Sequence, residues 1–587
     1  MYQIYKNMIK VCIAEKPNVA KSIAKVLGVR DYKDGYIEGD SPLLECHVFV
    51  TWTFGHLCEL KTPGEYNRRW SKWNLRNLPM IPSSFGIRVK DDEGIKKQFN
   101  TIKMLLEQCD ECINCGDAGQ EGELIQRYVL QQAGFKKPVK RLWISSLTDE
   151  AIKNGFRNLD NASKYDNVYR AALCRSIGDW LVGMNATQYQ TLISGNRSLL
   201  YSVGRVQTPT LALIVNRQKE IDAFVPEKYY DFTAICQKVK FEGANTFKDK
   251  KQAEEVFKKI KDLPMVISKV EHKKQSEKPP QLFDLTSLQV EMNKKNGWSA
   301  DDTLNTLQSL YEKQLVTYPR VDTRYLPEDM YEECKRILSG LISDYDCEGD
   351  MPDEIKKSRD IFDNKKITDH HAIIPTGKWD SNITSEEHTL YDVIARRLLC
   401  AFARPFLTAN TYVESTVGDE KFKASGRTVL DMGWREIARI KSEDEPMPEF
   451  VKGKEYNQSM KLNSHTTKAP AYYTEATLLR AMETAGKMVT DEEMAEAMKE
   501  NGIGRPSTRA AILELLFKRK YLIRDGKSIK PTATGIYLID HIKDPILKSP
   551  ELTGQWECKL RKIERGEYDP KKFKEELYDF VKDIVKK

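Results

Sequence analysis

Apolar positions near the start of the chain alternate between two patterns. Val11 to Ala14 form a short uninterrupted apolar run, the mark of a strand covered on both faces. After Glu15, Lys16 and Pro17, the residues Val19, Ile23, Val26 and Leu27 recur at helical spacing until Gly28 stops them. The unit returns further on: Glu111–Cys115 predicts a strand, Gly116 to Gly119 a turn, and Glu121, Leu124, Ile125 and Tyr128 a helix closed by Gly134. A third strand is expected at Leu142–Ser145. Strands alternating with helices predict a parallel α/β domain up to about residue 155.

Thr148, followed by Asp149 and Glu150, has the chemistry of a helix cap, and the chain then reads as helical and Arg-rich to about residue 225. The stretch from Tyr229 to Val270 is mixed, and Lys278-Pro279-Pro280 reads as a linker. Leu285, Leu288 and Met292, then Leu304, Leu307 and Leu310, mark two amphipathic helices ahead of Thr317-Tyr318-Pro319-Arg320. From about residue 470 the pattern is helical again, with a hairpin signal at Asp525-Gly526. One internal echo stands out: the stretch from Leu310 to Thr317 aligns with that from Leu516 to Ile523, each a helix end expected to run into a strand. That is the pattern of a winged helix-turn-helix; two unrelated helix–strand junctions would look the same.

The length of 587 residues exceeds what one core fills and is consistent with about three to five domains. A net charge of +7, with charges of both signs, is compatible with a phosphate-backbone partner without requiring one. The twelve cysteines are scattered, which fits reduced thiols; Cys109, Cys112 and Cys115 straddle a buried strand without a second pair, so core thiols are expected there rather than a zinc site. No apolar run approaches the ~18 residues that span a bilayer, so a soluble, cytoplasmic protein without membrane contact is expected.

Ligands of open parallel sheets sit outside the carboxyl ends of the strands, where Glu15 and Asp117 fall. Glu121 and Glu123 follow within one helical turn, so three or four carboxylates could converge in the oxygen-rich setting magnesium prefers; each could equally be a cap favoured by a helix dipole. Tyr318 is the second focus. A free phenol has a pKa of about 10 and needs a nearby cation or base to act as a nucleophile. Arg320 points the same way if this stretch is extended and could clamp a phosphate. Gly526-Lys527-Ser528 ends like a phosphate loop, but Tyr521 stands where the earlier glycine must be, so no ATP site is expected.

The chain resembles type IA DNA topoisomerases at every landmark, in order: Ala14-Glu15-Lys16-Pro17; Asp117-Ala118-Gly119-Gln120-Glu121-Gly122-Glu123; Asp179 to Asn185; Ser202-Val203-Gly204-Arg205-Val206-Gln207-Thr208-Pro209; the Tyr318 motif; Asp369-His370-His371-Ala372-Ile373-Ile374-Pro375-Thr376; and Gly502-Ile503-Gly504-Arg505-Pro506-Ser507-Thr508. Glu-Lys-Pro and the His-His run favour the topoisomerase III branch. The acidic run is similar to that of Toprim domains, except that Gly119 replaces the second Asp and Gln120 the usual Arg. The resemblance implies Mg²⁺ on Glu15, Asp117 and Glu121, with a tightly held second ion not expected.

It further implies that Tyr318 attacks a phosphodiester and keeps the 5′-phosphate, with Arg320 and Lys16 stabilising phosphoryl charge. Glu15 would serve as acid or metal ligand, and His370 would contact the scissile region. Arg175, Arg205, Gln207, Arg505, Ser507 and Thr508 would hold the strand. The implied activity is ATP-independent relaxation and decatenation on single-stranded DNA and on negatively supercoiled or catenated duplex. A helicase is a candidate partner, and a monomer is expected. The implied architecture is a multidomain four-domain torus: a Toprim domain (1–155), a helical DNA-binding domain (156–225 and 463–587), a mostly β arch (226–283 and 404–462) and a winged-helix-like domain with the tyrosine (284–403). The rival readings are a Toprim nuclease or primase, and a non-catalytic single-strand-binding protein.

Overall fold

The structure is a computed structural model that describes residues 8–144, 147–196, 198–367, 370–489, 491–498 and 502–586. The N-terminal region is built on seven strands: β1 (Ile9–Ala14), β2 (Asp31–Lys33), β3 (Tyr36–Ser41), β4 (Cys46–Trp52), β5 (Glu111–Cys115), β6 (Val139–Arg141) and β7 (Asp160–Asn161), in the order β2-β3-β4-β1-β5-β6-β7. The central four, β4, β1, β5 and β6, are parallel. β2, β3 and β7 add antiparallel edges, so the sheet is mixed rather than purely parallel. Along β1, Val11 and Ile13 enter one apolar cluster while Cys12 and Ala14 enter another on the opposite face. Both faces are covered, which is why the strand reads as a continuous apolar run.

Helices α1 (Pro17–Leu27), α2 (Glu93–Gln108), α3 (Gln120–Gln132) and α4 (Asp149–Arg157) cover this sheet. Gly28 ends α1 with φ of 78°, a left-handed conformation that only glycine adopts cheaply. Thr148 caps α4 as expected, its hydroxyl accepting from the Ala151 amide. The third strand lies three residues before the expected position. Pairing with β5 stops at Arg141, whose side chain is swallowed by the core, and Leu142 only continues the ladder with one bond to the Asn114 carbonyl. Ser145 lies outside the described residues.

The helix α5 (Asp166–Ile193) is the spine of the next region. It packs against α3 and against two C-terminal helices introduced below, and Gly178 lets Trp556 approach where any Cβ would collide with the indole. α6 (Gln207–Asp222) follows. A second seven-stranded sheet, antiparallel throughout, comprises β8 (Lys228–Cys236), β9 (Val239–Gly243), β10 (Met265–Glu277), β11 (Phe406–Val417), β12 (Glu420–Asp431), β13 (Glu455–Tyr456) and β14 (Ser459–Thr466), ordered β13-β10-β11-β12-β9-β8-β14. β10 and β11 are adjacent, Glu277 opposite Phe406, although residues 278–405 intervene.

That intervening segment holds α7 (Leu285–Asn296) and α8 (Ala300–Glu312), both at the expected apolar repeats. The C-terminal part contains α9 (Pro506–Lys518), the hairpin β15 (Leu522–Asp525) and β16 (Ser528–Pro531) turning at Gly526, then α10 (Glu551–Glu564) and α11 (Pro570–Ile584). The phosphate-loop-like Gly526-Lys527-Ser528 is thus a hairpin turn. The internal echo has a common backbone form. Gln314 and Lys520 both have positive φ, 60° and 58°, and the amides of Leu315 and Tyr521 return to Leu310 and Leu516 at 3.0 Å each. Only the second copy continues into a strand; Val316 makes a single bridge to Pro375.

Candidate active site

Two strand ends of the N-terminal sheet deliver the first half of the site. Beyond β1 the Glu15 carbonyl accepts from the Thr53 hydroxyl at 2.9 Å and the Gly55 amide at 3.2 Å, so the loop after β4 fixes it. Lys16 precedes Pro17, the first residue of α1. Beyond β5 a tight turn presents Asp117. Its carbonyl accepts from Arg141 Nη2 at 2.7 Å, and Gly122 sits so close beneath that a Cβ there would strike the Asp117 backbone.

The second half comes from residues 311–320 and 370–376, locked together by the Thr317 amide donating to the Ile374 carbonyl at 2.9 Å and the Ile374 amide donating to Thr317 Oγ1 at 3.0 Å. Lys16 joins the halves. Its Nζ lies 2.7 Å from Asp117 Oδ2, 3.1 Å from Glu15 Oε1 and 4.2 Å from the centroid of the Tyr318 ring. His370 Nε2 is 3.1 Å from the same Asp117 oxygen, and its ring centroid is 4.2 Å from that of Tyr318. Asp369 lies outside the described residues.

Electrostatics divide the carboxylates. Burial, and then the charge of Asp117, push Glu15 up. Burial alone would raise Asp117 too, but His370 and Lys16 outweigh it and hold that carboxyl well below the usual range. Burial opposes the charge on Lys16, yet Asp117 and Glu15 raise its pKa well above the ordinary lysine value. Burial raises the Tyr318 phenol, with Lys16 pulling in the opposite direction. The arrangement brings a phenol, a cation, a histidine and two carboxylates within reach of one phosphate-sized volume.

Three expected residues take other positions. Glu121 is gripped by His56 Nε2, and among the described residues no group of three His, Cys, Asp or Glu side chains is gathered as a metal would need. Glu15 and Asp117 converge on one cation, here Lys16. Glu123 faces inward, fully buried, and accepts from Arg141, Arg127 and Asn114 at 2.9, 2.8 and 3.1 Å. Two positions along a helix rotate a side chain by about 200°, so Glu121 and Glu123 cannot share a face. Arg320 sits in a bent, not extended, segment after Pro319 and donates to Gln308 Oε1 at 2.6 Å.

Three of the expected strand-holding residues, Arg175, Arg205 and Arg505, form a second cluster. Arg205 pairs with Asp179 at 3.0 Å and with Glu557 of α10 at 3.4 Å; Arg175 grips the same Glu557 and reaches Gln120 Oε1 at 3.1 Å. Arg505 also donates to Gln120, at 3.3 Å, while Gln120 Nε2 donates to Glu564 at 2.7 Å. Gln120, read in the sequence only as a departure, therefore ties α3 to three other elements. Arg505, Ser507 and Thr508 surround the start of α9, with Thr508 exposed, and Gln207 Oε1 accepts from Ser202 Oγ at 3.3 Å.

Glu557 and His56 were missed in the sequence. The signal for Glu557 was present: it lies beside Trp556 on the buried stripe of Leu552, Leu560 and Ile563, where a carboxylate needs a partner. His56 follows β4 at a strand end, the position that singled out Glu15 and Asp117. Cys109 and Cys112 are buried with thiols pushed up by burial, Cys109 to about 11, which makes them core groups rather than ready thiolates. No helix among the described residues is long and apolar enough to cross a membrane.

Known proteins resemble this chain over most of its length. The sequence model of the DNA topoisomerase family matches residues 163–575, and that of the Toprim domain matches residues 10–147. The chain is 37% identical over 602 residues to DNA topoisomerase 3 of Bacillus cereus, covering 98% of this chain and 81% of the relative. It is 38% identical over 596 residues to DNA topoisomerase 3 of Staphylococcus epidermidis, covering 99% and 82%. Full-length topoisomerase I from Thermotoga maritima superposes with a TM-score of 0.70 at 24% identity, covering 98% of this chain and 90% of that one, a likeness of fold.

Proposed function

Because the chain belongs to the DNA topoisomerase family, as a type IA enzyme of the topoisomerase III kind, we propose that Tyr318 is its nucleophile and that Lys16, Glu15, His370 and Arg320 complete the cleavage site. The Tyr318 oxygen forms a bond to phosphorus as the bond to the 3′-oxygen breaks. The phenol gives up its proton to solvent, and the leaving oxygen takes one from Glu15 or from water and ends as a 3′-hydroxyl. Phosphodiester is exchanged for phosphotyrosine at little change in bond energy, so religation reverses the step without a nucleotide.

Each role follows from position. Lys16 stabilises the phenolate and the phosphoryl oxygens, and Glu15 serves either the leaving oxygen as acid or, ionised, the metal as ligand. His370 contacts the scissile phosphate. Arg320 supplies a further cation on leaving Gln308. A magnesium ion, when bound, would be held by Glu15 and Asp117, with Glu121 joining on leaving His56, and would neutralise phosphoryl charge. The start of α9, with Arg505, Ser507 and Thr508, is suited to a backbone phosphate, and Gln207 is a further residue to hold the strand. Arg175 and Arg205, tied to Glu557 and Asp179, shape that surface.

DNA is the partner; a helicase partner, a monomeric state and action on nucleoid or plasmid DNA in the cytoplasm are further parts of the proposal. So is a division into four domains: 1–155, 156–225 with 463–587, 226–283 with 404–462, and 284–403. The last would lift Tyr318 away as a gate.

The single observation behind the reading is that one ammonium group, Lys16 Nζ, touches both carboxylates and the tyrosine ring. The test is to incubate the protein with Mg²⁺ and labelled single-stranded DNA, quench with detergent and look for DNA attached to protein. Wild type should yield the adduct and Tyr318→Phe none. Cutting without attachment would point to a nuclease, and binding alone to a non-catalytic protein; the family match over 163–575 favours neither.

A further inference from the structure

A cavity of about 240 Å³ lies against the Tyr318 ring. Most of its wall, including Gln314, Thr317, His371 and Thr376, comes from the two segments that carry Tyr318, and Asn18 and Ser22 of α1 close it from the other side. Several of its polar groups are already engaged. Thr317 Oγ1 donates to the Ala372 carbonyl at 3.1 Å, Thr376 Oγ1 to the Gln314 carbonyl at 2.7 Å, and Ser22 Oγ to the Asn18 carbonyl at 3.2 Å.

His371 differs. Its Nδ1 lies 2.9 Å from the Ala372 carbonyl. A carbonyl oxygen can only accept, so Nδ1 carries the hydrogen and Nε2 is left as a lone-pair acceptor on a ring that lines the cavity. Burial pushes the imidazole down to about 4, which keeps it neutral near pH 7 and preserves that acceptor.

We propose that this cavity receives the base of the nucleotide whose 5′-phosphate becomes joined to Tyr318, and that His371 Nε2 favours amino bases (adenine, cytosine) over keto bases (guanine, thymine) there. The inference rests on the tyrosine mechanism above. After cleavage that nucleotide is tethered to the phenol and travels with the segments that form most of the wall, whereas the 3′-hydroxyl end does not. Adenine and cytosine carry an amine on the edge where guanine and thymine carry a carbonyl oxygen. The amine donates to a bare imidazole nitrogen, while the carbonyl sets acceptor against acceptor. One uncharged hydrogen bond is worth about three- to tenfold in selection.

The test uses the full-length protein and single-stranded oligonucleotides randomised on both sides of a cleavage site. Adducts are trapped with detergent and the attached strands sequenced. The readout is the base distribution among adducts formed, which does not depend on total yield. Adenine and cytosine should be enriched about three- to tenfold at the attached nucleotide. His371→Gln, whose carboxamide can either accept or donate, should weaken the bias, and His371→Leu should erase it.

With wild type alone, replacing an adenine at that position by a purine lacking the 6-amino group should lower adduct yield to a similar degree, so the inference stands or falls even if a variant misfolds. A flat distribution, a bias confined to the 3′-hydroxyl side, or an unchanged bias in His371→Leu would overturn it while leaving the tyrosine mechanism intact. No adduct with any sequence would remove that mechanism and this inference with it.

Discussion

Replacing Arg141 by methionine should loosen the turn that presents Asp117, and the structure allows the effect to be sized. Arg141 and Glu123 are both fully buried, and Nε donates to Glu123 Oε2 at 2.9 Å. The remaining guanidinium nitrogens answer the carbonyls of Gly116 (2.7 Å), Leu142 (2.6 Å) and Asp117 (2.7 Å). Methionine fills much of the same space but satisfies none of these acceptors, and it leaves Glu123 with only Arg127 and Asn114.

Breaking one side of a buried pair costs about 3–5 kcal/mol, and unanswered buried carbonyls add to that. Local opening that exposes α3 and its preceding turn should therefore become roughly 10²–10⁴ times more frequent. Hydrogen exchange followed by mass spectrometry on the full-length protein reads this directly, with peptides covering 111–132 expected to lose protection. Adduct yield should drop at least about tenfold, because a carboxylate displaced by about 1 Å no longer meets Lys16 and the phosphate. Arg127→Met is the control: that side chain is 22% exposed, and a smaller effect is expected. Unchanged exchange in 111–132, with unchanged adduct yield in Arg141→Met, would refute the assignment of this pair as the support of the turn.

Two further outcomes follow from the site. Burial alone would raise Glu557, but Arg175 and Arg205 bring it down from the ordinary 4.5 to about 2. A depressed carboxyl contributes stability that is complete above 4.5 and lost as pH falls toward 2, here about 3 kcal/mol. Thermal melting between pH 6 and pH 3 should fall more steeply for wild type than for Glu557→Gln, and parallel curves would contradict the pairing. Magnesium should promote adduct reversal along a one-site curve, since Gly119 stands where a further carboxylate would serve a second ion; a steep two-ion curve measured by titration would count against that.

Much of the scaffold was legible because it rests on local signals. β1, β5 and α1 follow from apolar runs and from Gly28, and the hairpin at 522–531 from Asp525-Gly526. The same Asp-Gly signal at Asp34-Gly35 joins β2 to β3, but those strands are short and only partly buried, and their periodicity is correspondingly weak. Arg320 was placed on an assumption of extended backbone that the bend around Pro319 does not honour. The residue types proposed for catalysis were readable from motif order. Their partners were not: Glu557 meets Arg175 across 382 positions, and Glu121 meets His56 across 65. Which charge answers which is decided by packing, and no spacing along the chain encodes it.

The adjacency of β10 and β11 bears on how the molecule is made. During synthesis β10 is finished long before its neighbour emerges, and its exposed edge must wait while residues 278–405 leave the ribosome. The entropy of closing so long a loop is small only if that insert has already collapsed with its two ends side by side. The tyrosine-bearing body therefore has reason to fold first and to act as the clamp that registers Glu277 against Phe406. Lesions inside the insert would then surface as aggregation through an orphaned strand edge.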